Sequence, residues 1–203
     1  MPIKDTVVNR ILFMLIMLLT ACGKSTLAPE AYVNWIDDKN NGCIKSETIG
    51  KIRYTVIYRP SDYSIAKGYL NKRENYKTIV PGQHHSFVVK MEPLDGKTPV
   101  LTIDAKAKEE PFERINYYLN EAQYYIEMTE GKDTMPVNNY IYERYYNLSP
   151  DQSLVLGFDQ KYKLGEKEIT LIIEDKIFNT GKVAFNFSES TLNKIPQLRH
   201  DDK

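Results

Sequence analysis

The sequence predicts a mainly β fold, an antiparallel two-sheet β-sandwich with a few short peripheral helices. Apolar and polar residues alternate in about eight short segments, and turn-forming residues separate most of them. The segments are not interleaved with regular helices, so nothing indicates the βαβ units of a parallel sheet. Two antiparallel sheets packed face to face bury such alternating apolar faces best.

The first half of the chain predicts two helices and three strands. Pro29 suits the first position of a helix. His84 and His85 follow Pro81-Gly82 and are predicted to lie in a loop. The predicted elements are helices at 29–38 and 61–71 and strands at 53–59, 87–91 and 98–104.

Residues 111–129 fit two patterns. Phe112, Ile115 and Leu119 are spaced for a helix, whereas residues 122–129 alternate as in a strand. Strict alternation is the better strand signal, so we predict a helix that ends near Leu119 and a strand that begins near residue 122. The remaining strands are predicted at 137–146, 154–158, 168–174 and 183–188, and a short helix is predicted to follow them.

The N-terminus predicts export and lipidation. The apolar run Ile11–Leu19 has nine residues, whereas a membrane-spanning helix needs about 20. Nine residues match the apolar region of a secretory signal. The four residues Leu19-Thr20-Ala21-Cys22 resemble the lipobox of bacterial lipoproteins. The resemblance implies that residues 1–21 are a removed signal peptide and that Cys22 carries the lipid, which makes the membrane a partner.

The same resemblance divides the chain and indicates its location. Residues 22–30 form a lipidated tether, residues 31–198 a single β-sandwich domain, and residues 199–203 a disordered tail. Gly23 follows the cysteine, where an aspartate would imply retention in the inner membrane. The expected location is therefore the outer membrane, facing the periplasm or the cell surface.

Charge and cysteine content exclude some classes of function. The chain has 27 basic and 27 acidic residues, and such a balance argues against a nucleic-acid partner, which requires a basic stripe. Once Cys22 carries lipid, Cys43 has no partner for an intramolecular disulfide. We expect Cys43 to be buried or inert.

Tyrosine is the most conspicuous residue type, with fifteen in the chain. Tyr140, Tyr142, Arg144 and Tyr146 share one face of a predicted strand. Tyrosine combines an apolar ring with a polar tip, so this face is a candidate binding site for sugars or peptides. The alternative is that these tyrosines pack between the two sheets.

No motif predicts catalysis, a metal or a cofactor. His84 and His85 are adjacent, and adjacent side chains on an extended chain point to opposite sides, so they do not suit one metal ion. The sequence has no nucleophile elbow, zinc-protease motif, P-loop or dinucleotide fingerprint. The tripeptide Asp133-Thr134-Met135 resembles the O-glycosylation sequon of exported Bacteroidetes proteins, which implies Thr134 as a modification site.

Three phrases resemble an uncharacterised family of Bacteroidetes lipoproteins: Tyr32-Val33-Asn34-Trp35, Tyr54–Pro60 and Tyr140–Leu148. The resemblance implies an exported, anchored domain, and it transfers no residue roles because no activity is established for that family. We therefore predict a non-enzymatic module that binds a protein or a glycan or assists envelope assembly. The alternative is a cell-envelope or glycan hydrolase that uses paired carboxylates.

Overall fold

The structure, a computed structural model, describes residues 24–72, 83–143 and 149–199. The predicted signal peptide, Cys22, Arg144 and Tyr146 lie outside these ranges, as do the last four residues of the predicted tail. In the described ranges no helix is long and apolar enough to cross a bilayer.

The helices are short, as predicted. They are α1 (Pro29–Asp37), α2 (Ser61–Leu70), α3 (Glu110–Asn120) and α4 (Glu189–Asn193). Single 3₁₀ turns lie at Lys39–Asn41, Val100–Thr102 and Ala122–Tyr125.

Nine of the eleven described strands form two antiparallel sheets, which confirms the predicted sandwich. The described strands are β1 (Thr26–Leu27), β2 (Ile44–Ile49), β3 (Ile52–Pro60), β4 (His84–Pro93), β5 (Ile126–Glu130), β6 (Asp133–Pro136), β7 (Asn139–Glu143), β8 (Gln152–Asp159), β9 (Ile169–Glu174), β10 (Lys182–Phe187) and β11 (Gln197–Leu198). The large sheet has the order β2-β3-β4-β8-β7, and the small sheet has the order β10-β9-β5-β6. The strands β1 and β11 form a separate parallel pair.

The core lies between the sheets and is built from the alternating residues of the predicted strands. Side chains at every second position of β3, β4, β8, β9 and β10 face inward, because successive side chains of a strand point to opposite faces. Buried residues of these strands are Tyr54, Val56, Tyr58, Phe87, Val89, Met91, Leu154, Leu156, Phe158, Ile169, Leu171, Ile173, Phe185 and Phe187. The sequence pattern therefore assigned the inner faces correctly.

Part of the predicted tether belongs to the folded body. Strand β1 pairs in parallel with β11, and the backbone N–H of Gln197 donates to the carbonyl oxygen of Ser25 at 2.9 Å. The predicted disordered tail is tied down in the same way at its first residue, since the N–H of Arg199 donates to the carbonyl oxygen of Leu27 at 2.7 Å. The prediction failed here because a two-residue strand has no periodicity to detect.

Three local predictions were wrong. His84 and His85 begin β4 rather than occupying a loop, and the run 98–104 forms a 3₁₀ turn rather than a strand. Pro99 has no N–H to contribute to a sheet, and the Thr102 hydroxyl donates to the carbonyl oxygen of Pro99 at 2.8 Å, which favours the turn. Residues 122–125 also form a 3₁₀ turn, so the strand β5 begins at Ile126.

Candidate functional site

The outer face of the small sheet carries a groove beside the end of α3. The cavity has a volume of about 410 Å³, within the range of ligand sites. We call it the tyrosine groove. Its lining residues are Gln123, Tyr124, Tyr125, Ile126, Glu127, Thr134, Pro136, Val137, Ile172, Glu174 and Lys182.

Two tyrosines form the wall of this groove because a 3₁₀ turn joins α3 to β5. A 3₁₀ helix has three residues per turn, so it breaks the period of two that the sequence suggests. Ala122 stays in the core, whereas the side chains of Tyr124 and Tyr125 are 78% and 40% exposed. Because these two exposed rings are adjacent and line one cavity, they form a candidate contact surface.

Tyr125 is held in place by two neighbours. Its ring stacks on that of Tyr117, with ring centroids 6.3 Å apart and an interplanar angle of 24°. The Lys176 ammonium lies 4.9 Å from the centroid of the Tyr125 ring, a favourable cation–π contact. Tyr125 is thus pre-oriented, while Tyr124 projects freely into solvent.

The polar floor of the groove is built from facing strands. Glu127 on β5 and Glu174 on β9 point to the outer face, and Lys182 on β10 is the register partner of Glu174. The Lys182 ammonium lies 3.4 Å from Glu127 Oε1, and Glu174 is paired with Lys176. Both carboxylates therefore already have lysine partners, and the floor offers hydrogen bonds with little uncompensated charge.

The predicted glycosylation site Thr134 lies at the edge of the same groove. It is exposed on β6, the edge strand of the small sheet, directly after the turn at Gly131 and Lys132. The carboxylate of Asp133 accepts hydrogen bonds from the Tyr162 hydroxyl at 2.6 Å and from the Lys161 ammonium at 2.8 Å.

The described part of the predicted tyrosine ligand face points into the protein. Tyr142 is 9% exposed, its ring stacks on Tyr118 with centroids 5.5 Å apart, and its hydroxyl donates to Gln152. Tyr140 is half-buried, and its hydroxyl donates to the carbonyl oxygen of Tyr118 at 2.6 Å. These two tyrosines pack in the sandwich, the alternative that the sequence left open, and Tyr142 is corrected from candidate ligand residue to core residue.

One cluster of a histidine, a carboxylate and a hydroxyl resembles a catalytic triad, but it is buried and a substrate cannot reach it. His85 on β4 contacts Glu130 on β5 through Nε2 (3.1 Å) and Tyr58 on β3 through Nδ1 (2.9 Å). His85 and Tyr58 are fully buried, and Glu130 is 1% exposed. Because a substrate cannot reach these atoms, we assign the cluster to holding the two sheets together.

A second buried carboxylate, Asp175, lies directly after β9. The hydroxyls of Tyr54 and Tyr118 donate to its Oδ2 at 3.0 and 2.8 Å. The backbone N–H groups of Ile177 and Phe178 donate to its Oδ1 at 2.9 and 3.4 Å. Asp175 therefore connects the small sheet to β3 and α3, and it too is enclosed.

Cys43 is fully buried, as expected, and burial raises the pKa of its thiol to about 12. A thiol in this state is a poor nucleophile at neutral pH. In the described residues no group of three or more histidine, cysteine or acidic side chains is placed to hold a metal ion. His84 and His85 lie at adjacent positions of β4, where only His85 is buried.

Sequence reasoning missed the tyrosine groove because it placed residues 122–129 in one strand, in which Tyr124 would share a face with Ala122, Ile126 and Met128. The available signal was the pair of adjacent tyrosines in the short connection between a helix and a strand. Such connections lie at the surface, where binding residues concentrate.

Comparison with known proteins identifies no family. No family model matches the sequence, and no curated protein matches it. Two solved structures are similar in outline. One is a protein of unknown function from Burkholderia pseudomallei, with a TM-score of 0.37 and 12% identity over 85% of this chain and 96% of that one. The other is a DUF4426 family protein from Pseudomonas aeruginosa, with a TM-score of 0.33 and 9% identity over 71% of this chain and 91% of that one.

Proposed function

We propose that this chain is an exported lipoprotein whose domain binds a neutral glycan through the tyrosine groove and catalyses no reaction. The observation that carries the proposal is the pair of exposed tyrosines, Tyr124 and Tyr125, above a polar floor. A sugar ring has apolar C–H faces and a rim of hydroxyls. Tyrosine matches this with an apolar ring and a polar tip, at a low entropic cost because it has few rotatable bonds.

The charges of the groove favour a neutral ligand. Glu127 and Glu174 are each paired with a lysine, so a charged ligand would have to displace an existing partner. Sugar hydroxyls both donate and accept, and they can bind to carboxylates and ammonium groups without separating them. The amide of Gln123 and the hydroxyl of Thr134 line the same cavity and offer further partners.

The predicted anchor would hold this domain close to a membrane. Only three residues lie between Cys22 and Thr26, the first residue of β1. Three extended residues span roughly 10 Å, so a lipid on Cys22 would keep the body beside the headgroups. A glycan ligand would then belong to the envelope itself, on the periplasmic or the surface side of the outer membrane.

A glycoside hydrolase is the second candidate, because the groove contains two carboxylates on neighbouring strands. Glu127 is the register partner of Ile172, and Glu174 is two residues further along β9. Such diagonal neighbours lie about 7–8 Å apart, a separation compatible with glycosidase chemistry. That chemistry needs one carboxyl that carries a proton, whereas both of these accept from lysine ammonium groups. Binding without hydrolysis is therefore the better-supported proposal.

The test is the affinity of the full chain, purified in detergent, for neutral oligosaccharides. Cellohexaose, chitohexaose and mannohexaose are suitable probes for isothermal titration. We expect Tyr124→Ala to weaken binding at least about tenfold, because truncated aromatic anchors commonly cost 1–2 kcal/mol or more. Phe112→Ala is a matched control, since Phe112 is 74% exposed but lies outside the groove.

Three outcomes would contradict the proposed glycan binding. One is the absence of binding to every probe, and another is an equal loss in the Tyr124 and Phe112 variants. Release of new reducing ends by the wild type, abolished in Glu127→Gln or Glu174→Gln, would favour the hydrolase instead. The intact mass of the same membrane-extracted protein tests the anchor, because an unacylated chain that begins at Met1 would contradict lipidation of Cys22.

A further inference from the structure

The outer face of the large sheet, opposite the tyrosine groove, carries a row of cations. In the register of β3 and β4, Arg53 faces Glu92, Lys90 faces Thr55, and Arg59 faces Ser86. Arg53 and Arg59 are six residues apart on one strand, so the row extends for about 20 Å. Together with Lys39 in the 3₁₀ turn after α1, these cations line a cavity of about 640 Å³, which we call the cationic groove.

Most of this charge is not neutralised within the described chain. None of the four cations of the cationic groove takes part in an ion pair there. The two carboxylates in the groove are engaged by hydroxyls: Glu92 Oε2 accepts from Thr55 at 2.9 Å, and Asp37 accepts from the Tyr63 hydroxyl at 3.0 and 3.1 Å. Four cations against two carboxylates leave a local excess of about two positive charges.

Arg59 is held in place at the cationic groove by an aromatic ring. Its guanidinium is stacked over the ring of Tyr63, 4.7 Å from the centroid. This cation–π contact holds the side chain in one orientation. Its Nε is buried and has no hydrogen-bond partner among the described residues.

We propose that the cationic groove binds an acidic polysaccharide, a linear sugar chain with carboxylate or sulfate groups. The cations form a single row, which suits a linear chain with repeated negative charges. Between them, Ile44 and Ile57 offer apolar contacts, and the hydroxyls of Ser46 and Thr55 offer hydrogen bonds, the combination that a sugar ring requires.

Two other polyanions fit this face less well. A nucleic-acid partner would require a strongly basic domain, whereas the chain carries equal numbers of basic and acidic residues. An anionic bilayer is flat and cannot fill a concave cavity. This proposal does not depend on the tyrosine groove, because the two grooves lie on opposite faces of the sandwich.

The experiment measures binding of the full chain in detergent to polygalacturonate, with neutral dextran as the reference polymer. We expect binding to polygalacturonate in about 50 mM salt and strong weakening in about 500 mM salt, because the screening length falls below 5 Å. We expect Arg53→Gln/Lys90→Gln to weaken binding at least about tenfold, since hydrogen bonds to charged groups are among the stronger ones. The control Lys97→Gln/Lys132→Gln removes two exposed charges elsewhere and should bind as the wild type does.

The result that would overturn the proposal is equal binding by the two double variants, or no binding to polygalacturonate at low salt. Vesicles that contain phosphatidylglycerol serve as a further probe. Binding to these vesicles alone, lost in Arg53→Gln/Lys90→Gln, would assign the groove to a lipid surface and refute the polysaccharide. Binding of neutral hexaoses should survive in Arg53→Gln/Lys90→Gln, so a failure of this proposal is distinguishable from a failure of the tyrosine groove.

Discussion

Glu130 and Asp175 are both buried carboxylates that join the two sheets, but different donors stabilise them. Glu130 accepts from the His85 imidazole on one oxygen and from the backbone N–H groups of Lys161 and Tyr162 on the other. Asp175 accepts from two tyrosine hydroxyls and two backbone N–H groups. One cluster lies near the end of β3 at Tyr58, and the other lies near its start at Tyr54.

The pKa values of the two carboxyls shift in opposite directions. Burial tends to raise the pKa of Glu130, but the hydrogen bond from His85 and those from the two backbone N–H groups outweigh it and hold the pKa below its usual value. Burial also raises the pKa of Asp175, and its four hydrogen bonds do not compensate. The number of hydrogen bonds therefore does not decide which carboxylate is stabilised. The opposite pKa shifts arise because desolvation dominates at Asp175, whereas the His85 imidazole and the backbone donors outweigh it at Glu130.

The proton positions in the Glu130 cluster follow from its acceptors. An ionised Glu130 accepts only, so Nε2 of His85 must donate to it. Nδ1 of His85 lies 2.9 Å from the hydroxyl of Tyr58, whose pKa is raised far above its usual value because the side chain is buried. Each polar atom in this chain of contacts is satisfied, which explains how it is tolerated in the core.

The largest expected effect comes from deleting each carboxylate. Glu130→Ala should lower the free energy of unfolding by about 3–5 kcal/mol, because removal of one partner leaves the other partners of a buried pair unsatisfied. Asp175→Ala should cost less, about 2–3 kcal/mol, because burial already destabilises its ionised form. Urea denaturation of both variants measures the two values.

The matched control for these deletions is Glu127→Ala. Glu127 lies on β5 with Glu130 but faces solvent beside Lys182, so its loss should cost less than about 1 kcal/mol. If Asp175→Ala proved as destabilising as Glu130→Ala, the proposed difference between the two clusters would be refuted.

A smaller effect is expected from removing one hydroxyl from each cluster. Tyr58→Phe should cost about 1–3 kcal/mol, because Tyr58 is the only hydrogen-bond partner of His85 Nδ1 among the described residues. Tyr54→Phe should cost about 0.5–1.5 kcal/mol, since Asp175 keeps its other donors. Thermal and urea unfolding of both variants provide the comparison, and the reverse order would contradict it.

The smallest expected effect is in the pH dependence of stability. The folded pKa of Glu130 is lowered, so its contribution is present above the unfolded value of about 4.3 and is lost as the pH falls through the folded pKa. The folded pKa of Asp175 is raised, so the fold favours its protonated form. That contribution is present below the unfolded value of about 3.9 and is lost as the pH rises through the folded pKa.

The measurement is urea unfolding from pH 3 to pH 6 for Glu130→Gln and Asp175→Asn. The stability of the wild type relative to Glu130→Gln should rise with pH, and that relative to Asp175→Asn should fall. Each slope is limited to about 1.4 kcal/mol per pH unit, the value for one proton. Slopes of the same sign would show that the two carboxylates do not titrate as proposed.

The sequence predicted the regular strands well, but it did not predict the connection between α3 and β5. In β3, β4, β8, β9 and β10 the inward residues followed a period of two, so the sandwich and its inner faces were predictable. The connection at residues 122–125 looked like a strand because residues 122–129 alternate, with Ala122, Tyr124, Ile126 and Met128 on one face. Only the 3₁₀ turn shows that Tyr124 points outward, and a change of helical period within four residues leaves no clear pattern in the sequence.

The sequence by itself determined the fold class, the short helices and most of the core, because burial of alternating apolar residues is a local pattern that two sheets must satisfy. Export and a lipid on Cys22 stay predictions, and the patterns behind them are likewise local. The tertiary structure alone decided which polar residues meet: His85 with Glu130, and Asp175 with Tyr54. These partners are far apart in the chain, and the register and stacking of the two sheets bring them together.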